Sequence, residues 1–338
     1  MSRRRPRPRP VVALLPLALL VAASGVPAQA VAPRAVDGPG AARVAVGGGR
    51  AVTLPQVPGL RIENVVGSAG GWMAAGTVAE AAGPRMVLFR GDAGAARALP
   101  APPRSGSALL QEPLPLVGEG GLRGVAWLEG EARGALAVRF APWNGTGWEP
   151  AATVAPPAPG SQLALAGAVL DDGSLLLVWS AHDGGDDEVV WSRSTAAGWT
   201  APRRLAADNR VPDITPSLAA VPGGAVAAWS RLEGSEYRVV AATFREGRWS
   251  EPRAIGPRGS LYPTFEAAGA APQVLFRTAA PRGWTVVELD AEGRAWRAAR
   301  TAVAAPQRPL LEEAGGAVAL SWPGGEAAPA ITPWESLP

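Results

Sequence analysis

The chain has 338 residues, with 32 basic and 29 acidic side chains, one histidine and no cysteine. The lack of cysteine excludes a disulfide framework, a thiolate nucleophile and a lipidated N-terminal cysteine, and a single histidine excludes a multi-histidine zinc site. The net charge of +3 rests on the first thirty residues; without their five arginines the balance is 27 basic against 29 acidic, which leaves no basic stripe for phosphates, so nucleic acid is not an expected partner.

Taken in chain order, Arg3, Arg4, Arg5, Arg7 and Arg9 precede an apolar run from Val11 to about Val26, and Ala28-Gln29-Ala30 follows. A charged start, an apolar middle and a small-x-small site form the layout of a secretory signal peptide over residues 1–30. The run is short of the roughly 20 residues a spanning helix needs, and Pro16 interrupts it. An exported chain with no membrane span after signal removal is the expectation, an uncleaved anchor the alternative. Residues 31–42 read as a flexible leader. Residues 43–55, RVAVGGGRAVTLP, read as an outer strand without a blade of its own.

From there the tryptophans set a period. Trp127, Trp179, Trp229 and Trp322 each close an apolar run, with Phe276 in the intervening place, at steps of 52, 50, 47 and 46 residues. Trp148, Trp199, Trp249 and Trp296 each follow a turn, at steps of 51, 50 and 47. Two interleaved series with one period near 50 point to a repeat architecture. Each unit holds four short β-branched or apolar segments separated by Gly, Asp and Pro turns, with no helical spacing. Residues 162–205 show it: Leu163 to Leu170, the turn Asp171-Asp172-Gly173, Leu175 to Trp179, a polar loop, Glu188 to Arg193, and Gly198-Trp199-Thr200. Four antiparallel strands per repeat make a propeller blade. Second strands near Trp72, Trp127, Trp179, Trp229, Phe276 and Trp322 give six blades over residues 43–338. The predicted fold is an all-β six-bladed propeller, closed by pairing of the 43–55 strand with the C-terminal blade. An array of β-sandwiches is the alternative.

The turn-plus-tryptophan segments, Trp191-Ser192-Arg193-Ser194 with Gly198-Trp199-Thr200-Ala201-Pro202 and Asp290 to Trp296, resemble the Asp-box (BNR) repeats of sialidase-like propellers. The copies are degenerate, and Asp-boxes are structural turns on the face opposite an active site. The resemblance implies a site of three arginines clamping a carboxylate, an aspartic general acid, and a tyrosine activated by a glutamate. Arg61 in Leu60-Arg61-Ile62-Glu63 lies near the register of the first arginine. Where the acid belongs, the Val78–Pro84 loop offers only Glu80.

Inner-strand starts and the loops between second and third strands emerge on one face of a propeller. The first carry Arg61, Glu112, Asp213, Tyr262 and Arg308; the second carry His182, Asp183, Asp186, Asp187, Glu233 and Glu236. Tyr262, Glu112 and Asp213 are the catalytic candidates, and Arg61, Arg308 and His182 the ligand-binding ones; ordinary solvated polar positions are the alternative. Asp183, Asp186 and Asp187 on a glycine-rich loop offer oxygen ligands for Ca²⁺ without the spacing of a dedicated site; no other cofactor is expected. Because the tryptophans recur with blade geometry, they read as packing between blades rather than as sugar platforms. Two functions follow: an exported, monomeric, non-catalytic sialidase-like propeller binding a glycan, peptide or cell-envelope partner, or a divergent exo-sialidase or other glycoside hydrolase.

Overall fold

The structure, a computed structural model, describes residues 34–36, 42–47, 50–68, 70–103, 106–131, 136–157, 162–207, 209–266, 271–305, 308–314, 317–322 and 330–337. The signal-peptide reading of residues 1–30 lies outside them. No described helix is long and apolar enough to cross a membrane.

The repeat resolves into antiparallel sheets whose strands pair in chain order, the arrangement of a β-propeller. Blade one is Arg61–Ser68, Gly71–Val78, Arg85–Gly91 and Ala96–Leu99; blade two is Leu109–Gly118, Gly121–Gly130, Leu136–Pro142 and Ala152–Ala155. Blade three is Gln162–Val169, Leu175–His182 and Asp187–Thr195, with Gly198–Trp199 and Arg203–Arg204 sharing the outer place. Blade four repeats this with Asp213–Val221, Gly224–Glu233, Glu236–Arg245, and the outer pieces Arg248–Trp249 and Arg253–Arg258. Blade five is Ser260–Glu266, Gln273–Ala279, Arg282–Leu289 and Ala295–Thr301, and blade six is Leu310–Ala314, Ala317–Ser321 and Ala330–Pro333.

The apolar tryptophans are frame residues. In blades one to five the second strand is covered on both faces along most of its length, so its sequence is a near-continuous apolar run rather than an alternating one. Trp229 packs in the cluster shared by blades three and four, Trp179 in that of blades two and three, and Trp127 in that of blades one and two. Phe276 and Trp322 do the same one and two blades further on. Every blade therefore presents its large aromatic to the preceding blade, which explains why the period survives in sequence. The second series opens the outer strands after the third-strand hairpins, as Trp199 opposite Ser194 and Trp249 opposite Phe244 show.

The ends differ from expectation. Arg43–Gly47 pairs with Arg50–Thr53 and with Arg34–Val36, a strand inside the expected leader, to make a three-stranded sheet of its own. The segment pairs with itself instead of extending as one strand. Val44, Val52 and Leu54 bury against Trp72 and Phe89, so this sheet sits before blade one in the place a preceding blade would take. The expected pairing with the C-terminal blade is not found among the described residues. The C-terminal strand Glu335–Ser336 instead adds to the outer edge of blade five, opposite Arg297 and Ala298. Arg297 lies 4.1 Å from the Trp334 ring and pairs with Glu288 at 2.6 Å, fastening that strand.

Gly224 shows how closely strands approach at the first turn of a blade. A Cβ there would lie 1.9 Å from the Phe244 carbonyl oxygen, and main chain on both sides cannot yield cheaply. Gly224→Ala is expected to lower unfolding stability by about 1–3 kcal/mol in urea titration.

Candidate functional site

The inner strands begin, and the second-to-third-strand connections emerge, at one end of each blade: Asp213 lies opposite Arg231 and Glu233 opposite Glu236. Near this loop face every inner strand of blades one to five carries a β-bulge. The register shifts fall between Ile62 and Asn64, Gln111 and Leu114, Leu163 and Ala166, Ile214 and Ser217, and Leu261 and Thr264. In blades two to five the bulged residue is left-handed, at φ 53 for Glu112, 56 for Ala164, 54 for Thr215 and 58 for Tyr262. That conformation is strained for residues other than glycine, most of all for a β-branched or bulky side chain. Recurrence at one register means that the surrounding structure enforces it.

In blades two, three and five, side-chain acceptors from the preceding blade do so. Glu63 Oε2 accepts the Glu112 N–H at 2.7 Å, and the Thr77 hydroxyl bonds to Oε1 at 2.5 Å. The Glu112 carboxylate accepts the Ala164 N–H at 3.1 Å and the Leu165 N–H at 2.5 Å. Burial raises the Glu112 carboxyl above the usual carboxylate range; the two amide bonds pull it back and the Glu63 charge adds to the rise. The Ser230 hydroxyl accepts the Tyr262 N–H at 3.0 Å and lies 2.9 Å from the Thr215 hydroxyl. Glu112 is thus a seam residue, with both carboxylate oxygens engaged by backbone.

Asp213 is also engaged. Arg231 donates to both of its oxygens, at 2.8 and 2.7 Å, and the Asn209 amide adds a third bond at 3.2 Å. The Asp213 side chain is 1% exposed and that of Arg231 18%. Burial disfavours the Arg231 charge, but the bonds and charge of Asp213 more than offset it, aided by Glu188 and Glu233, and hold the guanidinium pKa above its ordinary value.

The remaining sequence candidates are dispersed. Arg308 pairs with Glu266 at 2.7 Å, and Arg61 is exposed at the start of blade one; no shared partner joins them among the described residues. His182 Nδ1 is 3.5 Å from Asp187. Glu80 pairs with Arg85 at 2.6 Å. Carboxylate oxygens of Asp183, Asp186 and Glu188 lie within 4.8 Å of one another, so Glu188 takes the place expected of Asp187. Asp183, however, caps its own turn through the Gly185 and Asp186 N–H groups, which hold its pKa below the usual range, and it pairs with Arg204. Tyr262 stands apart: it is 50% exposed, and its hydroxyl has no hydrogen bond among the described residues. Among the described residues no carboxylate bonds to it.

The bulge ring was not read from the sequence. Its one signal is the dipeptides Glu112-Pro113, Thr215-Pro216 and Tyr262-Pro263 at matching repeat positions, since a proline inside a sheet is confined to edges and bulges. The registers also separate residues that sequence alignment of the repeats had equated: Glu112 and Tyr262 are counterparts, while Asp213 lies two residues before the counterpart Thr215.

No protein-family model matches the chain, and no curated protein matches it. Solved structures do. A protein of unknown function from Dyadobacter fermentans is 15% identical, over 85% of this chain and 98% of that one, with a TM-score of 0.49. The Aleuria aurantia lectin, described as a six-bladed β-propeller that recognises fucose, is 14% identical over 80% and 94%, with a TM-score of 0.48. An α-L-arabinanase from Penicillium chrysogenum is 11% identical over 83% and 94%, with a TM-score of 0.46. At these values the likenesses carry no argument about site or ligand.

Proposed function

We propose that this chain is an exported, non-catalytic propeller that binds a glycan at the loop-face mouth of its central channel, around Tyr262. The observation that carries this reading is the division of labour among the candidate catalytic groups. Glu112 and Asp213 are engaged within the frame, whereas Tyr262 is exposed on a strained backbone, its hydroxyl bonded to no carboxylate among the described residues. Hydrolysis of the sialidase type needs a tyrosine and a carboxylate within hydrogen-bond reach beside an arginine cluster, and among the described residues the Tyr262 hydroxyl bonds to no carboxylate. An exposed aromatic held rigidly at a channel mouth is suited to stack on a sugar ring, adding about 0.5–1.5 kcal/mol beyond simple burial.

The test is a glycan array probed with the purified chain from residue 31 onward, with a fluorogenic sialoside assayed in parallel. Saturable binding without turnover supports the reading; turnover of the sialoside overturns it in favour of a divergent hydrolase. Tyr262→Gly separates binding from folding. Glycine relieves the positive φ, so unfolding stability is expected to hold or to rise by about 0.5–1 kcal/mol, while array binding is lost.

A further inference from the structure

Resting on the glycan-binding reading, we infer that the seam between blades three and four holds a site for an uncharged acceptor oxygen of the ligand, a sugar hydroxyl or acetamido carbonyl, above Ala164 and beside the Thr215 N–H. Side chains of the preceding blade take the bulge N–H groups of blades two, three and five. Glu63 takes that of Glu112, Glu112 takes those of Ala164 and Leu165, and Ser230 takes that of Tyr262. Blade four has the same register shift and the same left-handed turn at Thr215, which aims its N–H toward blade three in the same way. There the counterpart of Glu63 and Glu112 is Ala164, whose methyl group accepts nothing. Ser180, the counterpart of Ser230, gives its hydroxyl to the Asp213 carbonyl at 3.1 Å instead. Among the described residues no side chain accepts from Thr215 N–H.

Exposure marks the same spot. Leu163, adjacent to Ala164, is 45% exposed. A ligand oxygen seated on the Thr215 amide would complete the series of acceptors and place an apolar sugar face against Leu163. Charge sets the ligand class. Asp213 is bidentate to Arg231, and the Glu188 and Glu233 charges reach the same guanidinium, so that cation is already met by carboxylates. An anionic ligand is repelled there, and a neutral acceptor is not.

The experiment builds the missing acceptor into the chain. Glu112 adopts φ 53 with a long side chain, so Ala164→Gln is compatible with the backbone at this position. The substitution is expected to raise the melting temperature by about 2–4 °C through the restored seam bond, and to weaken binding of neutral oligosaccharides about tenfold or more. The probes are neutral hexose and N-acetylhexosamine oligosaccharides, compared with uronate-bearing ones. Unchanged binding and unchanged melting in Ala164→Gln overturn the inference while leaving the glycan reading in place. Preference for the uronate-bearing probes overturns the neutral ligand class. Failure of the unmodified chain to bind any saccharide overturns the glycan reading, and the inferred ligand falls with it.

Discussion

Asp213→Ala is expected to destabilise the chain by about 3–5 kcal/mol, measured by urea unfolding, because it leaves the Arg231 guanidinium largely buried without its bidentate partner. Arg231 would keep only the longer-range charges of Glu188 and Glu233, and Asn209 would lose its acceptor. The control is Asp213→Ala combined with Arg231→Met, which removes both charges and retains apolar volume. Replacing both members of a buried pair is far less damaging than removing one, so the double variant should recover most of the loss. Equal instability in single and double variants would mean that the seam packing, and not the unpaired charge, is responsible. A catalytic Asp213 would instead show loss of an activity with little change in stability.

Glu112→Ala removes the acceptor of two bulge amides, Ala164 N–H and Leu165 N–H. Each buried donor left without a partner costs about 1–3 kcal/mol, so a loss of about 2–5 kcal/mol is expected, with blades two and three separating first in hydrogen exchange. Glu112 also gives stability a pH dependence of definite sign. Its carboxyl is raised in the folded chain, so the folded state holds the proton more tightly than the unfolded state does. The stability contributed by the protonated form is fully present below the unfolded value of about 4.3 and is lost as pH rises through the folded value. Asp92, Asp172, Asp183 and Asp290 shift the other way, toward lower values. Their contribution is present above about pH 3.9 and lost only below it, outside that window. Glu112→Gln should therefore flatten the fall in melting temperature between pH 4.5 and 7 relative to the unmodified chain. An identical slope in both would show that Glu112 has no part in it.

Much of the fold was legible because its cause is local and repeated. Each second strand must be apolar on both faces, and each blade must offer one large aromatic to its neighbour, so Trp127, Trp179 and Trp229 mark the blades directly. Turn chemistry was legible for the same reason: Asp290 accepts from the Glu292 and Arg294 N–H groups and needs only its own short segment to do so. What escaped the sequence depends on pairing between distant segments. Residues 43–55 contain apolar alternation for one strand or for two, and only the partner decides. The positive φ of Glu112, Ala164 and Tyr262 carries no glycine or asparagine signature, because acceptors some 30 to 50 residues away hold their amides, and Thr215 shares the conformation without one among the described residues. The candidate site was therefore half-legible. Tyr262 was named and is exposed on the inner strand of blade five, whereas Glu112 and Asp213 were assigned chemistry when their oxygens close seams, and Leu163, Ala164 and Thr215 were passed over as ordinary strand residues.

The measurement that reaches the central claim most directly follows one ligand through prolonged exposure to the protein. A glycan selected on the array is incubated with the purified chain and observed by NMR, so that saturation transfer reports contact and the anomeric signals report bond cleavage. Contact that saturates, disappears with Tyr262→Gly and leaves every glycosidic linkage intact is the predicted result. Release of a monosaccharide in proportion to protein and time would contradict the account.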